Sequence, residues 1–399
     1  MISVLQAQEL IDEHVNPLGS ETVSLAEAYN RILNEPVAAP EELPPFDRSA
    51  MDGYAVLHDD GADVFTVVTE IRAGQAIARE IKPGEAIRVL TGARMPGPGL
   101  KVVLQEHVEF RDNRIHLTKR SPASNVRLRG EDAHAGEILL QPGTALDATA
   151  LALLATLGET TPRVMKQPAI LHLTTGDEIV PPGQTPEPGQ IRNSNASLIA
   201  SLCREQSVES VRHFHAPDDL PTLLKILADA KAESFDMILI SGGSGSGTYD
   251  FSAELFRHLG AMIHFREVNV RPGKPLIFGV NGTRVAFGLP GNPLAHFVCL
   301  NFAVATAIAC LRGETPPTFL RGPLATALAD DPCPRETLWP GRVLRTTEST
   351  QLQPLPWASS GDMTCLALAN ALLRIPANTT ALEAGAEVEY LPALGRLES

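Results

Sequence analysis

Three apolar stretches between residues 237 and 293 each run into a glycine-rich turn. The turns read SGGSGSG at 241–247, RPGKP at 271–275 and GLPGNP at 288–293. A strand that ends in glycine lets backbone N–H groups approach a phosphate closely, and a helix behind the turn adds the positive end of its dipole. The pattern therefore predicts an anion-binding crevice at the end of a sheet.

The chain around these turns alternates between strand-like and helix-like segments. The strand-like segments are 169–173, 208–214, 236–240 and 284–287, and the helix-like segments are 196–206, 220–231, 253–259 and 294–311. Such alternation predicts a mostly parallel sheet covered on both faces, with a ligand beyond the carboxyl ends of its strands. The segment 294–311 is apolar enough to be weighed as a membrane span, but it follows a capping Asn292 and Pro293. We therefore predict a buried core helix.

The remaining segments have a different texture. Helices are predicted at 4–15, at 24–33 behind the capping box SLAE, and at 148–157 behind Asp147. From 44 to 132, short alternating runs are broken about every eight to twelve residues by turn residues, which predicts an all-β module. After Pro316 and Pro317, β runs at 337–345, 351–355 and 387–391 predict a second, smaller β module.

Charge and cysteine content exclude several classes of protein. A chain of 399 residues is too long for one ordinary domain, and its formal net charge of -14 argues against nucleic-acid binding. An anionic ligand must then meet a metal or local cations. The candidate cations, each of which could also be an ordinary solvated side chain, are Arg127, Arg129, Arg271, Lys274 and Arg342. Five scattered cysteines predict a protein of the reducing cytosol that has neither a disulfide framework nor a structural zinc site. The acidic amino terminus predicts that the protein is neither exported nor attached to a membrane.

Two further clusters carry polar groups suited to chemistry. In LTTGDE at 173–178, an apolar strand delivers Asp177 and Glu178 to the same edge as the glycine loop, either as metal or ribose ligands or as caps of a local turn. Asp250 either caps the next helix or holds Mg²⁺ against a phosphate, and the neighbouring loop favours the metal. The segment PPFDRSAMDGYA at 44–55 is too polar for a simple strand start, and alone it reads as a tight turn.

Together these motifs resemble the molybdopterin molybdenumtransferase family, whose eukaryotic relative is the carboxyl-terminal domain of gephyrin. PPFDRSAMDGYAV, TGDE, SGGSGSGTYD, RPGKP and GLPGNP occur in the family's order and spacing, and the resemblance covers essentially the whole chain. It implies a multidomain α/β protein: a mostly parallel three-layer domain related to molybdopterin adenylyltransferase (1–20 and 160–315), a small hinge domain (21–38 and 137–159), a β-rich domain (39–136) and a carboxyl-terminal β barrel (316–399).

The resemblance also implies an activity. A cytoplasmic homodimer would insert molybdate into adenylylated molybdopterin, with Mg²⁺, and release AMP; the molybdopterin adenylyltransferase would be a partner. The implied catalytic residues are Asp52, Thr91, Asp132, Glu178, Asp218 and Asp250, with Glu178 and Asp250 as metal ligands. The implied substrate-binding residues are Ser241, Gly242, Gly243, Ser244, Ser246, Gly247, Arg271, Lys274, Pro290, Pro293 and Arg342.

Two departures from the family pattern keep alternatives open. Ser244, Gly245 and Ser246 stand where the family usually has Val-Ser-Val, and Arg271 stands where it has lysine. Arginine keeps the charge and grips a phosphate with two N–H groups, so binding should survive. The loop change leaves room for a catalytically weak paralogue, a gephyrin-like scaffold or a preference for tungstate, although the retained acids favour an enzyme. A third alternative, adenylyl transfer itself, disagrees with the fused β modules.

Overall fold

The computed structural model describes residues 1–77, 79–231, 235–242, 251–345 and 349–393. The chain forms two compact units. One comprises residues 1–34, 145–147 and 161–399, and the other comprises residues 35–144 and 148–160.

The amino-terminal segment contains one helix, not the two that the sequence predicts. Helix α1 (Val4–His14) begins at a capping box between Ser3 and Gln6, and strand β1 (Ser20–Thr22) follows it. The helix predicted at 24–33 is wrong: only a 3-10 turn, Leu25–Glu27, forms behind the capping box. The backbone of the rest of this segment forms β-bridges instead: Ile32 pairs with Ala145, and Leu33 pairs with Val164. A capping box starts a turn, but tertiary pairing decides whether a helix continues.

The smaller unit is rich in β-structure, as predicted. Its strands are β2 (Val37–Ala38), β3 (Arg48–Ser49), β4 (Gly53–Leu57), β5 (Val64–Ile71), β6 (Glu85–Val89), β7 (Leu100–Leu104), β8 (Val108–Arg111), β9 (Arg114–Leu117), β10 (Val126–Arg127) and β11 (Ile138–Leu140). Six of them form a sheet in the order β7-β4-β6-β5-β9-β8, while β3 pairs with β10 and β2 with β11. The predicted helix at 148–157 is confirmed as α2 (Ala148–Leu157).

The larger unit contains the predicted α/β layer. Its elements are β12 (Arg163–Met165), β13 (Ile170–Thr175), β14 (Ile179–Val180), β15 (Ile191–Arg192), α3 (Ser194–Glu205), β16 (Val211–Ala216), α4 (Leu220–Lys231), β17 (Met237–Ser241), α5 (Ser252–Leu259), β18 (Met262–Glu267), β19 (Val270–Arg271), β20 (Pro275–Asn281), β21 (Arg284–Leu289), α6 (Pro293–Cys299), a π-helical turn (Leu300–Val304) and α7 (Ala305–Arg312). The main sheet has the order β16-β13-β17-β21-β20-β18. The first three pairings are parallel and the last two antiparallel, so the sheet is mostly parallel, as predicted.

Helices cover both faces of this sheet, which is why β13 and β17 are buried along their whole length. Leu171 and Ile240 pack in one core cluster with residues of α4 and α5, whereas Ile170 and Leu239 pack in another with residues of α1, α3 and α6. The apolar segment Pro293–Arg312 is long enough to cross a membrane, but its most apolar window is fully buried inside the protein. The prediction of a core helix at this position is confirmed.

A β barrel follows the α/β layer in the same unit. Its elements are β22 (Leu320–Pro323), β23 (Leu328–Ala329), β24 (Glu336–Arg345), β25 (Thr350–Pro354), α8 (Met363–Leu366), β26 (Ala371–Ile375), β27 (Ala381–Leu382) and β28 (Glu387–Pro392). The sheet order is β19-β24-β26-β28-β22, and β25 pairs with β24. A bridge between Leu324 and Leu352 closes it. Because β19 belongs to the RPGKP turn, this turn is attached directly to the barrel.

Candidate functional site

The carboxyl ends of four neighbouring strands lie at one edge of the main sheet. In the parallel register, Thr175 of β13 pairs with Ala216 of β16, and Ser241 of β17 pairs with Leu289 of β21. The strands therefore deliver five predicted site residues to the same edge, namely Glu178, Asp218, Ser241, Gly242 and Pro290. The other predicted residues of the glycine loop, Gly243, Ser244, Ser246, Gly247 and Asp250, lie outside the described residues.

Gly242 occupies a position at this edge that only glycine fits well. Its φ is +95°, in the left-handed region, and a Cβ atom there would lie 2.5 Å from the carbonyl oxygen of Thr175. The backbone of β17 thus turns close against the end of β13 as it enters the glycine loop. The Gly242 N–H donates to the Leu289 carbonyl oxygen over 3.5 Å, and the absence of a side chain is what lets the backbone make this close turn.

Replacing Gly242 with alanine is therefore expected to destabilise the larger unit by about 1–3 kcal/mol, the usual cost of a strained backbone conformation. The matched control is Gly183→Ala, because a Cβ atom at Gly183 meets no atom within 4 Å. Chemical denaturation of the two variants and the parent protein measures the difference. Equal stability of both variants would show that the turn at Gly242 relaxes freely.

The carboxylates at this edge have different surroundings. Glu178 is exposed, and its carboxylate has no hydrogen-bond partner within the described part of the chain. It folds back over Gly176, where a Cβ atom would lie 2.8 Å from Glu178 Oε2. Asp218, by contrast, accepts a hydrogen bond from Thr175 Oγ1, and Asp177 Oδ1 accepts one of 3.2 Å from the Asp218 N–H. Asp177 thus caps an N–H group, as one interpretation of the sequence predicted, but this group belongs to the distant Asp218 and not to the local turn. Glu178 is the carboxylate available to a cation.

A layer of buried polar side chains lies directly below the edge. The two-residue period of the strands places His172, Thr174 and Ser241 on the face that packs against α3 and α6, and all three are buried. His172 Nε2 lies 2.7 Å from Ser241 Oγ, and His172 Nδ1 lies 3.0 Å from His213 Nδ1. Burial, together with the rings of His213 and His296, holds the pKa of His172 well below its ordinary value. Ser241 therefore directs its hydroxyl oxygen towards a neutral histidine.

The GLPGNP turn is held from several sides. His296 Nδ1 donates to the Pro290 carbonyl oxygen over 3.0 Å, and Asn195 Nδ2 donates to the Gly291 carbonyl oxygen over 2.8 Å. Pro293 is the first residue of α6, as predicted, but the Asn292 side chain does not cap this helix. Asn292 Nδ2 donates instead to Ser360 Oγ of the barrel, over 2.8 Å.

The second and third predicted turns line a common cleft of about 390 Å³ between the α/β layer and the barrel. Arg271, Lys274 and Pro290 line it together with Arg335 and Trp357 of the barrel. Arg342 does not line this cleft: it lies exposed on β24, opposite Gln353.

The two predicted cations of the RPGKP turn differ in their availability. The Arg271 guanidinium forms an ion pair with Asp330, donates from Nε to Thr337 Oγ1 over 3.1 Å, and lies 5.6 Å from the centre of the Trp357 ring. Lys274 is more exposed, with its Nζ 3.3 Å from Glu267 Oε1. The charge of Arg271 is thus already neutralised within the protein, whereas Lys274 keeps a loosely paired ammonium group.

The smaller unit brings together two residues that lie far apart in sequence. Asp52 Oδ1 accepts hydrogen bonds from both the backbone N–H and the hydroxyl of Thr91, each over 2.7 Å. These bonds lower the pKa of Asp52, the backbone bond contributing most. The third predicted residue in this unit, Asp132, forms an ion pair with Arg127. The PPFDR segment is bonded to a distant part of the sequence, because Asp47 Oδ1 accepts from the Arg129 N–H over 2.8 Å.

The Thr91→Val variant should raise the pKa of the Asp52 carboxyl, because it removes the hydroxyl donor and keeps the backbone donor. Thr91→Ser keeps both donors and serves as the control. Carbonyl-detected NMR titration of Asp52 in the three proteins measures the effect. An unchanged pKa in the valine variant would mean that the hydroxyl bond does not form in solution.

Comparison with known proteins places the chain in a family. The family model described as "MoeA N-terminal region (domain I and II)" matches residues 2–158, the model "Probable molybdopterin binding domain" matches residues 172–309, and "MoeA C-terminal region (domain IV)" matches residues 321–393. A molybdopterin molybdenumtransferase from Nostoc sp. is 35% identical over 93% of this chain and 88% of its own length. One from Staphylococcus aureus is 28% identical over 98% of this chain and 95% of its own.

A solved structure supports the same assignment. The crystal structure of a molybdopterin biosynthesis MoeA protein from Pyrococcus horikosii is 27% identical, covers 99% of this chain and 100% of its own, and superposes with a TM-score of 0.81. The order of motifs, the fold and the relatives agree along the whole length. The chain belongs to the molybdopterin molybdenumtransferase family.

Proposed function

We propose that this protein inserts molybdate into adenylylated molybdopterin and releases AMP, as a Mg²⁺-dependent transferase. The observation that carries the proposal is the sheet edge at which Gly242 brings backbone close to Thr175, beside the exposed carboxylate of Glu178, which has no partner among the described residues. An edge of this kind suits a phosphate that is bound together with a cation. Membership of the family supplies the identity of the substrate.

The residues at this edge fit Mg²⁺. Among the described residues, no group of three or more His, Cys, Asp or Glu side chains is arranged as a complete metal site. Mg²⁺ keeps several waters and is usually held by one or two carboxylates plus substrate phosphates, so a single free carboxylate is enough from this part of the chain. Glu178 would hold the ion, and Asp250 stays a predicted second ligand. When bound, the ion neutralises charge on the phosphates.

The protein's own groups then have distinct tasks. The dithiolene of the pterin is a soft ligand that binds metal readily, so the chain has to position molybdate and allow AMP to leave. Backbone N–H groups of the predicted glycine loop that begins at Gly242 and the Lys274 ammonium would hold the pyrophosphate. Pro290 and Pro293 shape the GLPGNP turn. Arg271 remains in its ion pair with Asp330. Asp52, Thr91, Asp132, Asp218 and Arg342 stay predicted site residues without an assigned step.

The proposal extends to the setting of the reaction. A homodimer in the cytoplasm, receiving adenylylated molybdopterin from a molybdopterin adenylyltransferase, is what the family resemblance implies. A scaffold that binds the same precursor without turnover is the second candidate. The Glu178 carboxylate, which has no partner in the described part of the chain, favours the enzyme, because a negative charge beside the phosphate would weaken the binding of a polyanion unless it holds a cation.

The test is a turnover assay with purified protein, adenylylated molybdopterin, molybdate and Mg²⁺, in which AMP is quantified by chromatography. We expect stoichiometric AMP release that depends on Mg²⁺ and stops with EDTA. Binding of the precursor without AMP release would establish the scaffold instead. Consumption of ATP with unmodified molybdopterin would establish adenylyl transfer.

A further inference from the structure

Four polar side chains form a continuous chain of hydrogen bonds below the glycine-lined sheet edge. Asn193 Nδ2 lies 3.4 Å from His213 Nε2, His213 Nδ1 lies 3.0 Å from His172 Nδ1, and His172 Nε2 lies 2.7 Å from Ser241 Oγ. These residues come from the start of α3, from β16, from β13 and from β17. The hydrogen-bonded chain therefore begins at the N-cap of α3, crosses three adjacent strands and ends at the last residue of β17.

The direction of these hydrogen bonds is set by the helix cap. Asn193 is the N-cap of α3, and its Oδ1 accepts from the Ala196 backbone N–H over 3.0 Å. Its Nδ2 then carries two hydrogens and faces both Thr174 Oγ1 and His213 Nε2, each over 3.4 Å, so His213 Nε2 accepts and carries no hydrogen. His213 therefore donates from Nδ1 to His172 Nδ1. His172 in turn donates from Nε2 to Ser241 Oγ.

This direction requires both rings to be neutral. Burial lowers the pKa of His213, with His215 adding to the effect, and the pKa of His172 lies further below its ordinary value. Each ring then carries one hydrogen, His213 on Nδ1 and His172 on Nε2. The two histidines thus have opposite tautomers, and every polar atom between Asn193 and Ser241 has the partner that its role demands.

We propose that His172 and His213 are positioning residues that hold Ser241 as a hydrogen-bond donor at the entrance to the glycine loop. Because Ser241 Oγ accepts from His172, its own hydroxyl hydrogen remains to be donated at the sheet edge. Ser241 is 1% exposed and immediately precedes Gly242, so this interaction fixes the side chain at the last residue of β17. The identity of the ligand, the phosphate of the nucleotide-capped pterin, rests on the proposed function.

The first test is spectroscopic and needs no activity. Long-range ¹H–¹⁵N correlation spectra of histidine-labelled protein, assigned with His172→Gln and His213→Gln variants, report which nitrogen of each ring is protonated. We expect Nε2–H for His172 and Nδ1–H for His213 at pH 7.5. A hydrogen on His172 Nδ1 would overturn the proposal, because Ser241 would then be the donor to His172.

The second test separates positioning from mere packing. His172→Leu keeps the buried volume but removes the donor, whereas His172→Gln keeps an N–H close to the Nε2 position. We expect His172→Leu to raise the KM for adenylylated molybdopterin and the Kd for AMP with Mg²⁺ by about three- to ten-fold, as for one net hydrogen bond, with kcat within about two-fold. His172→Gln should restore most of the loss.

A double-mutant cycle completes the design. Ser241→Ala should match His172→Leu, and the double variant should be no worse than either single variant, since both remove the same link. Additive losses, or equal losses in the leucine and glutamine variants, would overturn the proposal. If the parent protein releases no AMP, the proposed function fails, while the tautomers and the binding of AMP with Mg²⁺ still decide the role of the histidines.

Discussion

Replacing Glu178 with glutamine is expected to lower the rate of AMP release by about 100-fold or more, the scale of losing one preorganised electrostatic contact at a reacting phosphate. Glutamine keeps the size of the side chain and removes the charge that would hold Mg²⁺. Because Glu178 is exposed and has no hydrogen-bond partner within the described residues, the fold should be unaffected. Steady-state AMP release at increasing Mg²⁺ concentrations measures the effect, and part of the loss should be recovered at high Mg²⁺.

The control for this variant is Glu187→Gln. Glu187 is another exposed glutamate of the same compact unit, so the substitution makes the same change in charge and size at a residue outside the predicted site. The control should retain parent activity and the same Mg²⁺ dependence. Comparable activity of Glu178→Gln and Glu187→Gln would remove Glu178 from the metal site.

Acid should destabilise the larger unit through His296, and His296→Asn should suppress this effect. Burial lowers the pKa of His296 to about 4, whereas an unfolded histidine titrates near 6.5. Between these values the unfolded state binds more protons than the folded state, so the free energy of unfolding falls as the pH falls through this window. Between pH 7 and pH 4.5 this group alone should cost about 2–3 kcal/mol.

The asparagine variant isolates the contribution of His296. An asparagine amide can occupy the place of Nδ1 and donate to the Pro290 carbonyl oxygen, but it does not titrate. Urea unfolding at both pH values should therefore show a smaller acid loss in His296→Asn than in the parent protein. His258→Asn, at an exposed histidine of α5, is the control for replacing a histidine of the same unit with asparagine. Identical acid losses in all three proteins would mean that His296 is protonated in the folded state without cost.

Local patterns in the sequence predicted the placement of the sheet edge. β13 and β17 are buried along their whole length and are followed by glycine turns. The length of each strand and the residue at which it ends can therefore be read from a single short stretch of sequence. The same holds for the core helix behind Pro293 and for the short strands of the smaller unit. Glu178 could be placed at the edge because it follows its strand by only three residues.

Features that depend on long-range partners could not be predicted in this way. Ile32 and Leu33 look helical locally, but their backbone groups bridge to distant residues. Arg271 looks like a phosphate ligand, yet its partner Asp330 lies 59 residues away in the barrel. The polar residues that lie below Ser241 do not form a recognisable sequence motif, because His172, His213 and Asn193 belong to three separate elements. A histidine inside the apolar run ILHLTT was the one local sign of a buried polar layer.

The most direct test of the account is a crystal structure of the protein with AMP and Mn²⁺, which replaces Mg²⁺ and gives an anomalous signal. We expect the phosphate within hydrogen-bonding distance of backbone N–H groups in the loop that begins at Gly242, with the Mn²⁺ peak beside the Glu178 carboxylate. A nucleotide bound away from this sheet edge, or a Mn²⁺ peak remote from Glu178, would contradict the account.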